Sequence, residues 1–548
     1  MSTSEATTGT RPRTQDERRR QASSAVLVAA ALGWVVLVGV LVGRVRNNLD
    51  ATLHRDETIA WTYASLPATE IPEALQFDVN PPVYFLALHA WLVGGGGNDQ
   101  GGYLRTLSVL AIVAAAVVAF DAARRVAGRV GAGFLAGAFV LLAPSTVTLA
   151  GLARPYALAY LLGMVAVYAA VLLVQRRGWV PLVLLGVSGG LLTLTHYWGG
   201  LLLAAIMVGL AWTAWLTRRA DVLVQSVAAT GLALLALLPW APTLLSQLGN
   251  SPLAAHQVPD AELLGVTLTL SAGGRAAAWV LGIAAVVTGA LLVSRYRRGS
   301  IPGPSRRDPA RVLLVCVTAS AVAIVALLWV GSQVRPLFTP NYAYIVMAPL
   351  AVLVGVWMSR RWWTVSLVVA ALLVAAVPDF SNSVRADEDD RISRGPESVI
   401  ADRLAQTTST GDVVLTSPGR VLAVRYYLGD DRDYVTPIGR VYDGRFDYRD
   451  RVSRLESVDA RAVARRVADA PTGTRIAFVH DIGEPWDHPY WRALDDAMVT
   501  LGDTLASTES LVPVSTAFVP GPINGIAVKV FEVAGEPPAP SGRAVPGA

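Results

Sequence analysis

Two adjacent carboxylates, Asp56 and Glu57, sit in HRDETIAWTYASLP, a short polar-to-amphipathic stretch between two apolar runs. A carboxylate near a low-dielectric surface can act as general base and take a proton from an incoming hydroxyl. The same pair can equally cap a helix, because acids near a helix N-terminus are favoured by its dipole. Asp78 heads DVNPPVYFLALHAW, where Pro81 and Pro82 make a normal helix start and Asp78 or Asn80 can cap it. His89, inside that run, reads most simply as a core histidine. Arg154 and Tyr156 in GLARPYALAY, His196 and Tyr197 in LTLTHYWGG, and Arg335 in SQVRPLFTPNY all fall at ends of apolar runs. An arginine there can hold a phosphate through charge-assisted hydrogen bonds or snorkel to an interface. His196 can donate to a phosphate or a sugar, or belong with Tyr197 and Trp198 to an interfacial aromatic belt.

These residues need a scaffold, and the composition names it. The chain has 548 residues, 53% hydrophobic and 16% charged, where soluble proteins average about 25% charged. Apolar segments fall at 25–42, 82–93, 104–122, 132–149, 156–174, 180–194, 201–216, 222–245, 276–293, 312–330, 342–357 and 363–377. A clean helical crossing takes about 20 residues. Arginine clusters occupy alternate boundaries: Arg124, Arg125 and Arg129; Arg176 and Arg177; Arg218 and Arg219; Arg295, Arg297 and Arg298; Arg360 and Arg361. Positive loops stay in the cytoplasm. The N-terminus is therefore expected inside, and Asp56, Glu57, Asp78, Arg154, His196, His256 and Arg335 outside. Segment 82–93 breaks the alternation, and at about 12 residues it reads as re-entrant or interfacial, unless it crosses and a neighbour does not. The run at 25–42 exceeds a usual signal core and reads as the first spanning helix.

After residue 378 the pattern changes. GDVVLTSP, TRIAFVHD and NGIAVKVFEV read as strands; SVDARAVARRVADA and HPYWRALDDAMVTLG read as amphipathic helices. This predicts a small α/β domain. Residues 379–548 hold 26 of the 41 acids but 19 of the 46 bases, so the basic excess belongs to the membrane part. It marks topology, and no basic patch with interleaved aromatics points to nucleic acid. The expected layout is a disordered cytoplasmic N-terminus over 1–22, a membrane module over 23–378 with its first outer loop at 44–81, an extracytoplasmic α/β domain over 379–533, and a disordered tail over 534–548. Cys316 is the sole cysteine. No P-loop or strand-linked G-x-G-x-x-G occurs, and no H-x-x-H or C-x-x-C spacing supports a metal site. His54, Asp56, Glu57, Asp78, His196 and His256 would nonetheless suffice for a divalent metal.

The order of these elements resembles the GT-C superfamily of polyprenyl-phosphate-dependent membrane glycosyltransferases, on the branch of bacterial relatives of protein O-mannosyltransferase and the lipid A aminoarabinose transferase. The resembling stretches are RDETIAW at 55–61, DVNPPVYFLALHAW at 78–91, YLRTLS at 103–108, ARPYAL at 153–158, THYWG at 195–199 and RPLFTPNY at 335–342. The resemblance implies a polytopic α-helical protein of roughly 11–13 transmembrane segments with an outer C-terminal domain, in the bacterial plasma membrane. It implies inverting transfer of a sugar, mannose the first candidate, from a polyprenyl-phosphate donor to an envelope glycan, lipid or protein. No cofactor is expected. Asp56 maps to the catalytic base, Glu57 to its acidic partner, and Asp78, Arg154, Tyr156, His196, Tyr197 and Arg335 to substrate binding. One departure stands out: many relatives carry Arg-Tyr where this chain has Asn341-Tyr342, which leaves Arg335 or Arg154 to hold the donor phosphate. A transporter or flippase for an envelope lipid is the rival class. It would place ionisable groups near the bilayer midplane. A non-catalytic scaffold is the third.

Overall fold

The computed structural model describes residues 15–97, 100–176, 178–250, 308–334, 338, 344–359, 396–441, 444–482, 489–520 and 525–534. Arg335, His256, Asn341, Tyr342 and the expected segments 276–293 and 363–377 lie outside them.

The N-terminal part is a helical bundle. Its helices are α1 (Gln15–Asp50), α2 (Arg55–Ala64), α3 (Ile71–Leu75), α4 (Val83–Gly94), α5 (Gly101–Ala127), α6 (Val130–Leu142), α7 (Pro144–Ala150), α8 (Tyr156–Gln175), α9 (Trp179–Thr195), α10 (Gly199–Thr217), α11 (Ala220–Leu237), α12 (Ala241–Asn250), α13 (Pro309–Gly331) and α14 (Tyr344–Met358). Six stretches among the described residues are long and apolar enough to cross a membrane, and α6 with α7 makes a seventh if that bent pair is one span. The protein is thus a polytopic helical membrane protein. The expected run 132–149 breaks at Ala143 with a 60° bend. Pro144 cannot donate to the helix ladder, so it starts a new helix instead. The run 82–93 is helix α4, whose 12 residues rise only about 18 Å against a hydrocarbon core of about 30 Å.

Small residues let the bundle helices approach closely, as is usual in lipid, where packing replaces the hydrophobic effect. A Cβ on Gly355 of α14 would lie 2.5 Å from the carbonyl oxygen of Ala132 in α6. On Gly209 of α10 it would lie 2.8 Å from the backbone of Val317 in α13.

The charged groups sort to opposite ends of the bundle. At one end Asp121 accepts hydrogen bonds from Arg124, Arg125 and the Tyr168 hydroxyl, and Arg219 donates to the Val174 carbonyl at 2.6 Å. At the other end lie the C-terminus of α1, the N-termini of α5 and α8, and helices α2 and α3.

The C-terminal part alternates helices α15 (Pro396–Thr407), α16 (Val421–Leu428), α17 (Arg451–Glu456), α18 (Ala460–Ala468) and α19 (Pro489–Ala506) with six strands. These are β1 (Val413–Thr416), β2 (Asp433–Thr436), β3 (Gly439–Arg440), β4 (Arg475–Ile482), β5 (Leu511–Val519) and β6 (Gly525–Val533). They form one mixed sheet in the order β3-β2-β1-β4-β6-β5, with β1 parallel to both β2 and β4 and the other pairs antiparallel. Strand β1 is buried along its whole length, as a central parallel strand covered on both faces should be.

This domain docks on the loop between α1 and α4. The Tyr427 hydroxyl donates to the Leu53 carbonyl at 2.8 Å, and the Tyr448 amide donates to the Phe77 carbonyl at 3.0 Å. Trp61 meets Tyr426 edge-on at 4.7 Å between centroids, and Arg445 pairs with Glu70.

Gly355→Ala tests the bundle packing. The added methyl cannot clear the Ala132 carbonyl without moving a helix, and overpacking of this kind costs about 1–3 kcal/mol. The expected result is a thermal midpoint in detergent several degrees below wild type; an unchanged midpoint would remove close α6–α14 packing as a constraint.

Candidate active site

The site grows from one closed polar hub. Arg105, in the first turn or so of α5, is buried against Glu57, with both side chains under 5% exposed. Its Nε donates to Glu57 Oε1 at 2.8 Å and its Nη2 to Glu57 Oε2 at 2.6 Å. The remaining N–H groups go to the carbonyls of Asn48, Ala51 (2.7 Å) and Thr52 (2.8 Å). Glu57 also accepts from the Ala153 amide at 2.7 Å and the His54 amide at 2.8 Å. Each carboxylate oxygen thus holds two donors. One pair ties together α1, α2, α5 and the turn before α8.

Asp56 is the next residue on α2 and points elsewhere. Its carboxylate is 42% exposed, so it stays open to solvent. Arg154 Nη2 lies 3.4 Å from Asp56 Oδ2, and Arg154 Nη1 donates to the Asp56 carbonyl at 3.1 Å. Arg55 Nε lies 3.9 Å from Asp56 Oδ1. Burial pushes the Asp56 carboxyl up, but the charges of Arg154, Arg55 and His54 together pull it further down, to about 2. Glu57 closes the helix cap with the His54 amide, while His54 Nδ1 accepts from the Asp56 amide at 3.3 Å.

Behind Arg154 runs an aromatic wall. The guanidinium lies 5.9 Å from the centroid of the Tyr156 ring, which packs 5.2 Å from His196. The His196 Nδ1 is 3.3 Å from the Tyr344 hydroxyl. Burial first, and then the Arg154 charge, depress the His196 imidazole to about 3, so it is neutral. A neutral imidazole here can give or take a hydrogen bond but adds no cation.

The other expected site residues lie further off. Asp78 is buried; its Oδ1 accepts from the Val79 amide at 2.6 Å and its Oδ2 from the Asn80 amide group at 3.4 Å. Burial raises its carboxyl above the usual range despite those donors. The Tyr197 hydroxyl donates to Gln247 and accepts from Trp240 Nε1 at 2.7 Å, while Gln247 Nε2 donates to the Leu75 carbonyl at 2.8 Å. That chain braces α9 and α10 against α12 and α3. His89 Nδ1 meets the Ala64 carbonyl at 2.9 Å, joining α4 to α2. Among the described residues no group of three or more His, Cys, Asp or Glu converges on a metal position.

Sequence reading gave Arg105 and Tyr344 no role. Arg105 stood in YLRTLS, but nothing local distinguishes a hub arginine from an interfacial one. Its position inside the start of an apolar helix, where a charge needs a partner, was the available signal.

No family model and no curated protein sequence matches the chain. Solved structures do. The chain is similar to ArnT from Cupriavidus metallidurans, both in the apo state and bound to undecaprenyl phosphate, each with a TM-score of 0.60 and 15% identity over 91% of this chain and 98% of that one. It is also similar to the oligosaccharyltransferase of Archaeoglobus fulgidus in complex with zinc and sulfate, with a TM-score of 0.50 and 14% identity over 92% and 73%. The fold is GT-C-like. A multi-pass membrane bundle joined to a domain with a mixed sheet is what the sequence led one to expect.

Replacing Arg105 with Gln strands Glu57 as a buried uncompensated charge, which typically costs about 3–5 kcal/mol. The thermal midpoint should fall sharply, and Glu57→Gln added to Arg105→Gln should recover part of it. Equal loss in the single and double variants would show that the two residues are not coupled.

Proposed function

We propose that this chain is an integral membrane glycosyltransferase that moves a sugar from a polyprenyl-phosphate donor to a cell-envelope glycan, lipid or protein. The observation that carries the reading is the division of labour between neighbouring acids. Glu57 has its lone pairs filled and is a positioning residue; Asp56 is open to solvent and ionised. The GT-C-like fold supports the reading, and so does one solved structure of that fold, which is described as bound to undecaprenyl phosphate.

In this reading the N-terminus is cytoplasmic, transfer occurs on the outer face of a bacterial plasma membrane, and the C-terminal domain is extracytoplasmic. The arginines gathered at the far end of the bundle support that orientation through the positive-inside rule. The membrane module covers 23–378 and the outer domain 379–533. Mannose is the first sugar to test, and inversion at the anomeric carbon is the expected stereochemistry.

The mechanism follows from the charges. A sugar on a lipid phosphate is already activated. The acceptor oxygen attacks the anomeric carbon, the bond from that carbon to the phosphate oxygen breaks, and the acceptor proton passes to Asp56. A free carboxylate held at about 2 is ionised but a weak base. The donor phosphate offers Arg154 a better partner than Asp56, since guanidinium pairs with phosphate in a two-pronged geometry. As Arg154 turns to the phosphate, it stabilises the leaving charge and releases Asp56, whose basicity rises when it is needed. Tyr156 and neutral His196 wall this position without adding charge, and Arg335 is a second candidate for the phosphate.

A panel of labelled polyprenyl-phosphate sugars in vesicles with a crude envelope acceptor tests the class. Wild type should consume one donor, and Asp56→Asn should lose about 10²–10⁴-fold in transfer rate. An Asp56→Asn protein that expresses and transfers normally would falsify the mechanism.

The pH profile tests the pairing. A carboxyl lowered in the folded chain is stabilising above its unfolded value near 3.9, and this contribution is lost as pH falls through about 2. Asp56 should therefore put no acid limb on kcat/KM of the free enzyme between about pH 4 and 7. Arg154→Gln removes a lowering charge and should move that limb upward, toward the ordinary carboxylate range. A limb that stays in place would uncouple Arg154 from Asp56.

A further inference from the structure

Where the C-terminal domain meets the first loop, buried polar atoms remain without good partners among the described residues. The hydroxyl of Tyr448, from the C-terminal domain, is buried and makes no hydrogen bond. The wholly buried Tyr63 of α2 sets its hydroxyl against Asp78, and Tyr448 faces the same carboxylate electrostatically. A narrow cavity opens beside Tyr448, lined in part by Gln76, Phe77, Asp78, Gln247, Tyr448 and Arg449, with room for a hydroxyl- or water-sized group. Arg449 stacks over Phe77 at 4.5 Å and pairs with Asp447.

A buried unpaired hydroxyl is costly: leaving a donor unsatisfied loses about 1–3 kcal/mol. Native proteins keep few of them, and each calls for a reason such as a bound group. Tyr448 is held in place by its own backbone, through the amide bond to the Phe77 carbonyl at 3.0 Å, and by the Phe446 ring at 4.8 Å. Its hydroxyl adds nothing to that anchorage. One phenol, a carboxyl, two side-chain amides, an arginine and an aromatic ring form a lining suited to a group rich in hydroxyls. It is poorly suited to an anion, because the Asp78 carboxyl is part of it.

The geometry points to a polar subsite, shared by the loop at 76–79, α12 and the C-terminal domain, that binds a hydroxyl of a carbohydrate acceptor through Tyr448 and Asp78. This rests on the glycosyltransferase reading and names the acceptor class for it. It also gives the C-terminal domain a part in acceptor choice, since Tyr448 is the domain's contribution.

The test uses the full chain in vesicles, the donor that wild type consumes, and a solubilised envelope glycan fraction as titrated acceptor. Tyr448→Phe keeps the ring and deletes only the hydroxyl. It should raise the half-saturating glycan concentration by about 3- to 10-fold, the worth of one hydrogen bond, while half-saturation by donor stays within about twofold. The thermal midpoint should hold or rise, because an unsatisfied group has been removed. An unchanged glycan half-saturation, or a lowered midpoint in Tyr448→Phe, overturns the subsite and leaves the hydroxyl a packing or water-binding role. Donor consumption by wild type that glycan does not stimulate overturns the carbohydrate acceptor alone. No donor consumption at all overturns the glycosyltransferase reading itself.

Discussion

The buried pair of Glu57 and Arg105 is the constraint on which the candidate site depends. It joins the end of α1, the start of α2, the start of α5 and the turn before α8 through hydrogen bonds that use every donor of the guanidinium. A charge inside the start of an apolar helix is tolerable only when fully paired. Having been paired, it fixes the direction in which α2 leaves the bundle. Because Asp56 and Glu57 are consecutive on a helix, anchoring one inward turns the other by about 100°, toward solvent. Arg154, one residue past the Ala153 amide that Glu57 accepts, is delivered to Asp56 by the same anchorage.

The site is finished by parts remote in sequence. Helices α8 and α9 present Tyr156 and His196 side by side, and α14 brings Tyr344 to the imidazole. The C-terminal domain lies over the first loop, holding Leu53 and Phe77 by their carbonyls. Backbone atoms are the recipients of these two bonds, and the side chains of Trp61 and Glu70 add contacts to Tyr426 and Arg445. The two domains share the polar ground around Asp78.

The two ends of the bundle do different work. At the far end, arginines close on Asp121 and on helix C-terminal carbonyls, an arrangement that satisfies both the helix dipole and the orphan carbonyls. At the near end the arginines are spent on Glu57, Asp56 and loop carbonyls. The arginines of the described bundle are thus divided between the far helix ends and the candidate site.

Much of this was legible in the sequence. Apolar runs of fixed length, arginines at alternate boundaries and the change to strand-and-helix patterning after residue 378 determined a polytopic bundle with an α/β appendage, because hydrophobic length and periodicity are local properties. Ten of the twelve expected segments coincide with described helices, and the expected strands coincide with β1, β4 and β6. Strand β5 escaped notice because LVPVSTAFV carries a proline and keeps few buried positions, as an edge strand can. Local sequence also proposed both meanings of Asp56 and Glu57 but could not divide them. That division required Arg105, which lies 48 residues from Glu57, and Arg154, 98 from Asp56. Side-chain partners across such separations are set by helix packing, which no local pattern encodes. Sequence alone determined that the acids and the arginine belong to one region; tertiary structure decided which acid is sealed and which is open.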